Sequence, residues 1–472
     1  MPTSPSSTRS QNSALLSTTD LSVSQQEMIT ALYEGNRLVI AQAGHGKTVC
    51  AQTAIQELIQ DGILDRVVIF APAKVVELTW ADEYEQWEHL WPIDIANGAA
   101  PMRHHLCRDG GRIVVLTLDC MAWFFENDLH LYFQGCLIDE GSKVKDPGSK
   151  RFKKMRHKLK HFGWRAAMSA TPLHESSTDI YAQCFFVDGG KALGKNKEKF
   201  LYKYFMSTDY KQYKWVFQPG GVERLAEAVK DVVFLADDTE YEASLPDVED
   251  VMVPVKMPKE AWAQYDGMCE KLALELDTGE EVAAANLAVK VGKLQMIACG
   301  AVYTYGQAEP GEKKRPKYTN WLHTGKMDAL HKIIAGSKES WIVVYQYEYE
   351  LEAIRKAYPR AMVLADNPAV AKTMWNRGEC KLLLVHPKSA SHGVNLQAGG
   401  SRMVWLSPVW SADQWDQAIR RIRRRGQQAD IVWRYILMVE GTVEPAILRR
   451  HTRKETAAKY FIQHIRERQN AA

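Results

Sequence analysis

Short uninterrupted apolar runs recur along the chain, spaced widely enough for a helix between each pair. In the first half they are Leu38–Ala41, Val67–Ala71, Ile113–Leu116, Cys136–Ile138 and Ala166–Ala170. In the second half they are Trp341–Tyr345, Met362–Ala365, Leu382–Val385, Met403–Leu406 and Ile431–Val439. A run that is continuous rather than alternating suits a strand buried on both faces. Crossovers of helix length suit parallel pairing. The pattern therefore predicts two tandem parallel-sheet α/β lobes, five strands in each. Between them, residues 173–340 hold a Gly/Lys-rich stretch, GGKALGKNKEKF, and a helical section over Lys259–Ile297. The Ser/Thr-rich residues 1–20 lack an apolar core and read as a disordered lead-in. The first lobe is expected over residues 21–236. The second, carrying the helical insertion, is expected over 237–472.

The ends of these strands carry the candidate chemistry. After Leu38–Val39–Ile40 comes AQAGHGKT, followed by apolar Val49, Ile55, Leu58 and Ile59 at helical spacing up to Gly62. A turn containing Gly44 and Gly46 between strand and helix aims backbone N–H groups and a helix N-terminus at an anion. Lys47 would reach the β- and γ-phosphates of a nucleotide, and the Thr48 hydroxyl would hold Mg²⁺. Asp139 and Glu140 follow another apolar run, at the edge where parallel sheets bind ligands. Asp139 can hold Mg²⁺ through its water shell, and Glu140 can orient or deprotonate an attacking water. Small hydroxylated residues in Met168–Pro172 could sense the nucleotide. Arg421 and Arg424, three apart, are expected on one helical face. They suit either a solvated or nucleic-acid-facing surface, or an arginine finger reaching a phosphate held by the other lobe.

Composition narrows the function classes. No apolar run approaches membrane-spanning length. Eight cysteines without a C-x-x-C pair point to reduced thiols in a cytoplasmic protein rather than disulfides or zinc. Net charge is only +3, so a polyanion would have to bind at a local patch. One candidate patch runs from Lys143 to Arg165, with ten Lys/Arg and a single acid, Asp146. Asp237 to Asp250 is the opposite, with seven acids and no base. Most of the fourteen tryptophans fall in apolar or helical contexts and are assigned to the core.

Taken in order, these motifs resemble the superfamily-two helicase-like motors and, within them, the Swi/Snf-type DNA translocases. The phosphate loop of that superfamily reads A-x-x-G-x-G-K-T, so Ala41 stands where its alanine does. LSVSQ (Leu21–Gln25) resembles the upstream adenine-reading motif, which implies a base contact for Gln25, with Gln26 as the alternative. APAKVVELTWADEYEQW resembles a segment that places Lys74 near the DNA backbone. DEGSKVKDPGSK resembles the long acidic motif, with Lys145 and Ser149 matching and Ser142 in place of its usual histidine. SATP and SHGVNLQ have counterparts in the family, although Ala390-Ser391 replace the usual two glycines. WSADQWDQAIRRIRRRGQ carries over Gln417, Arg421, Arg424, Gly426 and Gln427, with Ser411 in place of asparagine.

The resemblance spans about residues 21 to 450 and is similar to that of compact phage-encoded members. It implies two RecA-like lobes, ATP and Mg²⁺ as cofactors, and duplex or branched DNA as partner. Lys150, Arg151, Lys153 and Lys154 would then face DNA phosphates. A monomer in the cytoplasm of a bacterial host, working with replication or recombination proteins, is the corresponding setting. Rival readings are a strand-separating DNA or RNA helicase, and a nucleotide-gated DNA clamp with little turnover.

Overall fold

The computed structural model describes residues 15–144, 146–170, 176, 178–208, 212, 215–277, 284–306, 317–390 and 394–470. The chain forms two compact units. One holds residues up to Ser244 together with Glu455–Ala472; the other is Leu245–Lys454. The last 18 residues, expected with the second lobe, thus belong by their contacts to the first.

The first unit is built on strands β1 (Arg37–Ile40), β2 (Val67–Ala71), β3 (Asp94–Ile95), β4 (Ile113–Thr117), β5 (Gly135–Asp139) and β6 (Trp164–Ser169). A small antiparallel hairpin, β7 (Phe205–Ser207) and β8 (Trp215–Phe217), and then β9 (Val233–Leu235) complete it. The seven-stranded sheet runs β3-β4-β2-β5-β6-β1-β9 and is parallel throughout. Successive residues point to opposite faces, so each apolar run feeds two cores. Leu38, Val68, Val114 and Cys136 pack on one face, and Val39, Ile69, Val115 and Leu137 on the other. That double burial is why the runs are continuous rather than alternating. Phe461 and Ile465, near the end of the C-terminal helix (Glu444–Asn470), join the first of these cores.

The second unit has β10 (Asp247–Pro254), an antiparallel hairpin of β11 (Ala301–Tyr305) and β12 (Lys317–Trp321), then β13 (Trp341–Val344), β14 (Met362–Val363), β15 (Leu382–Val385), β16 (Arg402–Trp405) and β17 (Ile431–Met438). Its six-stranded parallel sheet runs β10-β17-β16-β13-β15-β14. Edge strand β10 begins in the acidic stretch and is nowhere fully buried, with Asp247, Glu249 and Asp250 exposed. Asp250 takes a two-pronged pair from Arg434 of β17, both bonds 2.7 Å. Charge along an edge also discourages pairing with another chain. Helices Lys259–Asp277 and Ala284–Cys299 fall in the predicted helical section.

One buried ion pair ties helix Gly325–Ala335 of this unit to the C-terminal helix. Lys326, in helix Gly325–Ala335, pairs with Glu444 at the start of the C-terminal helix; their side chains are 2% and 0% exposed. The second Glu444 oxygen accepts the Val439 N–H at 2.9 Å, so both carboxylate oxygens are engaged. Breaking such a pair leaves an uncompensated buried charge. Glu444→Ala should cost about 3–5 kcal/mol in urea denaturation, and Glu444→Leu with Lys326→Met should recover most of it. A loss below about 1 kcal/mol, the range of solvated pairs, would mean that water reaches Lys326.

Candidate nucleotide and nucleic-acid sites

The phosphate loop begins where β1 stops. The Ala41 N–H donates to Ser169 O at 3.1 Å and continues the β1–β6 pairing by one residue. Ala41 is buried, which suits a small residue at this point. Gly44 and Gly46 adopt φ of +91° and +85°, a region costly for other residues. Gly46 is also hemmed in, since a Cβ there would lie 2.3 Å from Gln25 Nε2. Helix Lys47–Gln60 follows, with its N-terminus at the loop. The Lys47 ammonium folds back over this turn and donates to Ala41 O (2.7 Å) and Gln42 O (2.9 Å). Thr48 is half-buried in the first helical turn.

Gln25 is held at this loop rather than pointing away from it. Its Nε2 donates to His45 O at 3.0 Å, and its Oε1 accepts the Ser22 N–H at 2.9 Å. The neighbouring Gln26 donates to Leu21 O at 3.0 Å.

The acids end β5, the strand one place beyond β6 from β1. Asp139 is the last strand residue and is buried; Glu140 turns the chain with φ +64°. Burial pushes the Asp139 carboxyl up to about 6, and the nearby Glu140 charge adds to the rise. Lys47 and a hydrogen bond from Trp80 work the other way. The Trp80 indole N–H donates to Asp139 Oδ2 at 3.0 Å. Trp80 closes a five-residue π-helical turn, Val76–Trp80, of the kind often found at functional sites. Ser142, in the histidine's place, donates its hydroxyl to Glu140 Oε1 at 2.9 Å. Two adjacent carboxylates, one of them buried and raised, fit a divalent cation. Asp139 and the Thr48 hydroxyl are the oxygen donors expected to hold it.

In the second unit the arginines are not on a helix. Helix Ala412–Ile419 ends before them, and Arg421 and Arg424 lie in the turns that follow, contrary to the helical-face expectation. The Arg420 N–H closes on Asp416 O, and Gly426 at φ +86° continues the turn. Arg424 donates to Asn395 Oδ1, so the asparagine of the SHGVNLQ motif orients it. Arg421 is buried, and its carbonyl accepts the Leu396 N–H at 3.0 Å. Gln417 donates to Asp413 at 2.7 Å, and Gln427 to Gly400 O and Ile422 O at 3.1 Å each. Lys145, Thr171-Pro172 and Ser391–Gly393 lie outside the described residues.

Lys74 is half-buried at the head of the segment that ends in the Trp80 turn. The basic run forms helix Lys150–Arg156, capped by Ser149. Most of its charge is answered locally. Arg151 pairs with Asp119 at 2.6 Å, and Lys150 and Lys154 share Glu126 at 3.8 and 3.5 Å. Lys158 pairs with Asp128.

Comparison with known proteins identifies the family. The SNF2-related domain matches residues 27–300 of the chain. The chain belongs to that family. It is therefore a helicase-like, ATP-hydrolysing enzyme of Swi2/Snf2 type. It is 29% identical to putative protein p41 of Acyrthosiphon pisum secondary endosymbiont phage 1, over 91% of this chain and 95% of that one. It is 20% identical to the probable ATP-dependent DNA helicase CHR12 of Arabidopsis thaliana, over 89% of this chain but only 39% of CHR12. An 84-residue stretch is 33% identical to the DNA repair and recombination protein RAD54-like of Drosophila ananassae, covering 18% of this chain and 10% of that protein. The Sulfolobus solfataricus SWI2/SNF2 ATPase core, solved in complex with dsDNA, aligns over 94% of this chain and 93% of that one, at 18% identity and a TM-score of 0.42.

The raised Asp139 carboxyl sets a pH test of this SNF2-family site. Its folded value of about 6 exceeds the ordinary carboxylate value, so the native state holds a proton that the unfolded chain has lost. Stability therefore falls as pH rises from about 4 to about 6. Asp139→Asn should make the metal-free protein more stable at pH 7 by about 1–3 kcal/mol while leaving it unchanged near pH 3.5. Equal urea midpoints for parent and variant at pH 7 would mean that Asp139 ionises at no cost.

Proposed function

We propose that this chain is a DNA-stimulated ATPase that translocates on duplex DNA. The observation that supports this most is the grouping of Lys47, Asp139 and Glu140 at the carboxyl edge of the first sheet, with Asp139 within electrostatic reach of both. In this reading the loop N–H groups and Lys47 bind the triphosphate. Lys47 exchanges its carbonyl partners for phosphate oxygens, and Gln25 reads the base. Thr48 and Asp139 would hold Mg²⁺, which would supply positive charge to the phosphates. Glu140, aimed by Ser142, accepts a proton from the attacking water. Arg421 and Arg424 supply positive charge to the transferred phosphoryl group, a contribution of about 10³–10⁵ in rate for arginine fingers. Lys74 and the 150–154 helix contact DNA phosphates, which carry position but no sequence information.

The carboxylate test is direct. Glu140→Gln should bind ATP as the parent does and lose about 10²–10⁴ in turnover, the range for a general base. Wild-type turnover in that variant would move the water-activating role to another residue. Replacing Lys150, Arg151, Lys153 and Lys154 together should flatten the fall of DNA affinity with salt, since fewer counterions are released.

Strand separation is the second reading, and hairpin β11–β12 favours it. Tyr305 and Tyr318 on that hairpin are 62% and 57% exposed, a placement from which aromatic rings can stack on bases. Triplex displacement and fork unwinding, measured at one salt concentration, separate the two. A duplex translocase displaces the third strand and opens the fork poorly. Efficient fork opening that disappears in Tyr305→Ala/Tyr318→Ala would promote the helicase instead.

A further inference from the structure

His45 occupies a variable position of the phosphate loop, yet it is 4% exposed and contacted from two sides. On one side, Ser24 Oγ lies 3.0 Å from its Nε2, and Gln25 holds its carbonyl oxygen. On the other side comes the acidic segment that follows β9. Asp238 Oδ1 stands 2.9 Å from His45 Nδ1, although neither atom completes a hydrogen bond. The Tyr241 ring meets the imidazole edge-on at 5.2 Å. The Tyr241 hydroxyl donates to Ala43 O at 3.1 Å, so it bonds the loop backbone itself.

The segment is built to hold this position. Ala236 N–H donates to Ile40 O at 3.0 Å, which fixes the segment's start beside the end of β1. Asp237 accepts the Thr239 N–H and hydroxyl at 3.0 and 2.6 Å and sets the turn into the short helix Thr239–Ala243. Ser244 Oγ donates to Tyr241 O at 2.7 Å and closes it. Tyr241 is buried as a result. The first half of the acidic run is therefore docked on the loop rather than spread in solvent as a linker.

This arrangement joins two opposed effects. Tyr241 fixes the carbonyl of Ala43 and so restricts the peptide planes whose N–H groups must face an anion. Asp238 brings a carboxylate to the flank of a loop whose ligand is a triphosphate, and like charges repel across a half-buried gap. We propose that Tyr241 and Asp238 are positioning residues for the phosphate loop, acting through Ala43 and His45, and that triphosphate binding and the docking of residues 237–244 are thermodynamically linked. The inference rests on the proposed ATP site. By reciprocity, whatever nucleotide does to the segment, the segment does to nucleotide affinity.

The test uses the full chain, a fluorescent ATP analogue and amide hydrogen exchange. Asp238→Asn removes the repelling charge and keeps the shape, so it should tighten ATP more than ADP, at least threefold. Tyr241→Phe removes only the hydroxyl. It should change ATP affinity threefold or more with an unchanged urea midpoint. In the parent, a non-hydrolysable ATP analogue should alter exchange in 237–244 as well as in 41–48, and Tyr241→Phe should uncouple the two. Protection of 41–48 with no response in 237–244 overturns the linkage and leaves the ATP site standing. Unchanged ATP and ADP affinities in both variants overturn the positioning roles. No binding of the analogue at all, with 41–48 unaffected, overturns the ATP site and the linkage together.

Discussion

The carboxylate of Asp139, carried to the foot of a fully buried strand, sets the terms for the rest of the first lobe's site. Burial raises its carboxyl to about 6, and the adjacent Glu140 adds to the rise. Lys47 and Trp80 each relieve part of it, one by charge and one by an N–H donor. The Lys47 ammonium is also bonded to two loop carbonyls. What results is a raised carboxyl beside an anion-binding turn. A site of that kind gains most from a ligand that brings cation and phosphate together. Stability is given up there in return for chemistry, a pattern common at functional positions.

Two other contacts follow from the same constraint. Glu140 takes a left-handed backbone conformation, which a non-glycine residue adopts at a cost unless its surroundings hold it. Ser142, two residues on and buried, reaches back to its carboxylate. Trp80 belongs to a π-turn, so the segment bearing Lys74 is connected through one helix to the carboxylate at β5. In the second lobe the arginine turn shows a comparable economy. Asn395, from the SHGVNLQ motif, and Gln427, from the arginine segment itself, brace it.

Much of the fold was legible because burial on both faces leaves a mark that a single sequence carries. All ten apolar runs coincide with strands of the two sheets. Two strands outside those runs lack that mark: Asp94–Ile95 is too short to form a run, and Asp247–Pro254 is an edge strand whose acids break up its apolar residues. Val233–Leu235 carries the mark, since Val232–Ala236 is an apolar run as long as that of β2. The placement of Lys47, Asp139 and Glu140 beside strand ends could likewise be read, since each follows an apolar run directly. The helix proposed for Arg421 and Arg424 could not, because spacing of three suits a turn as well as a helix. Trp80, His45 and Tyr241 give no periodic signal at all. Their roles arise from contacts between segments 59, 193 and 198 residues apart, as in Trp80–Asp139, His45–Asp238 and Tyr241–Ala43.

The acids beside the proposed phosphate contacts belong in the same physical account. Asp238 flanks the nucleotide loop, and Asp119 and Glu126 answer Arg151, Lys150 and Lys154 on the basic helix. Exposed pairs of this kind contribute about 0–1 kcal/mol each, so they do not lock the bases away. They do change which anion can compete. A single weak anion gains little by displacing a carboxylate already in place. A duplex backbone offers several phosphates in register and releases condensed counterions as it binds, so it can exchange partners at every base together. Under the proposed function, local neutralisation in a chain of net charge +3 would favour anions of high charge density over single weak ones.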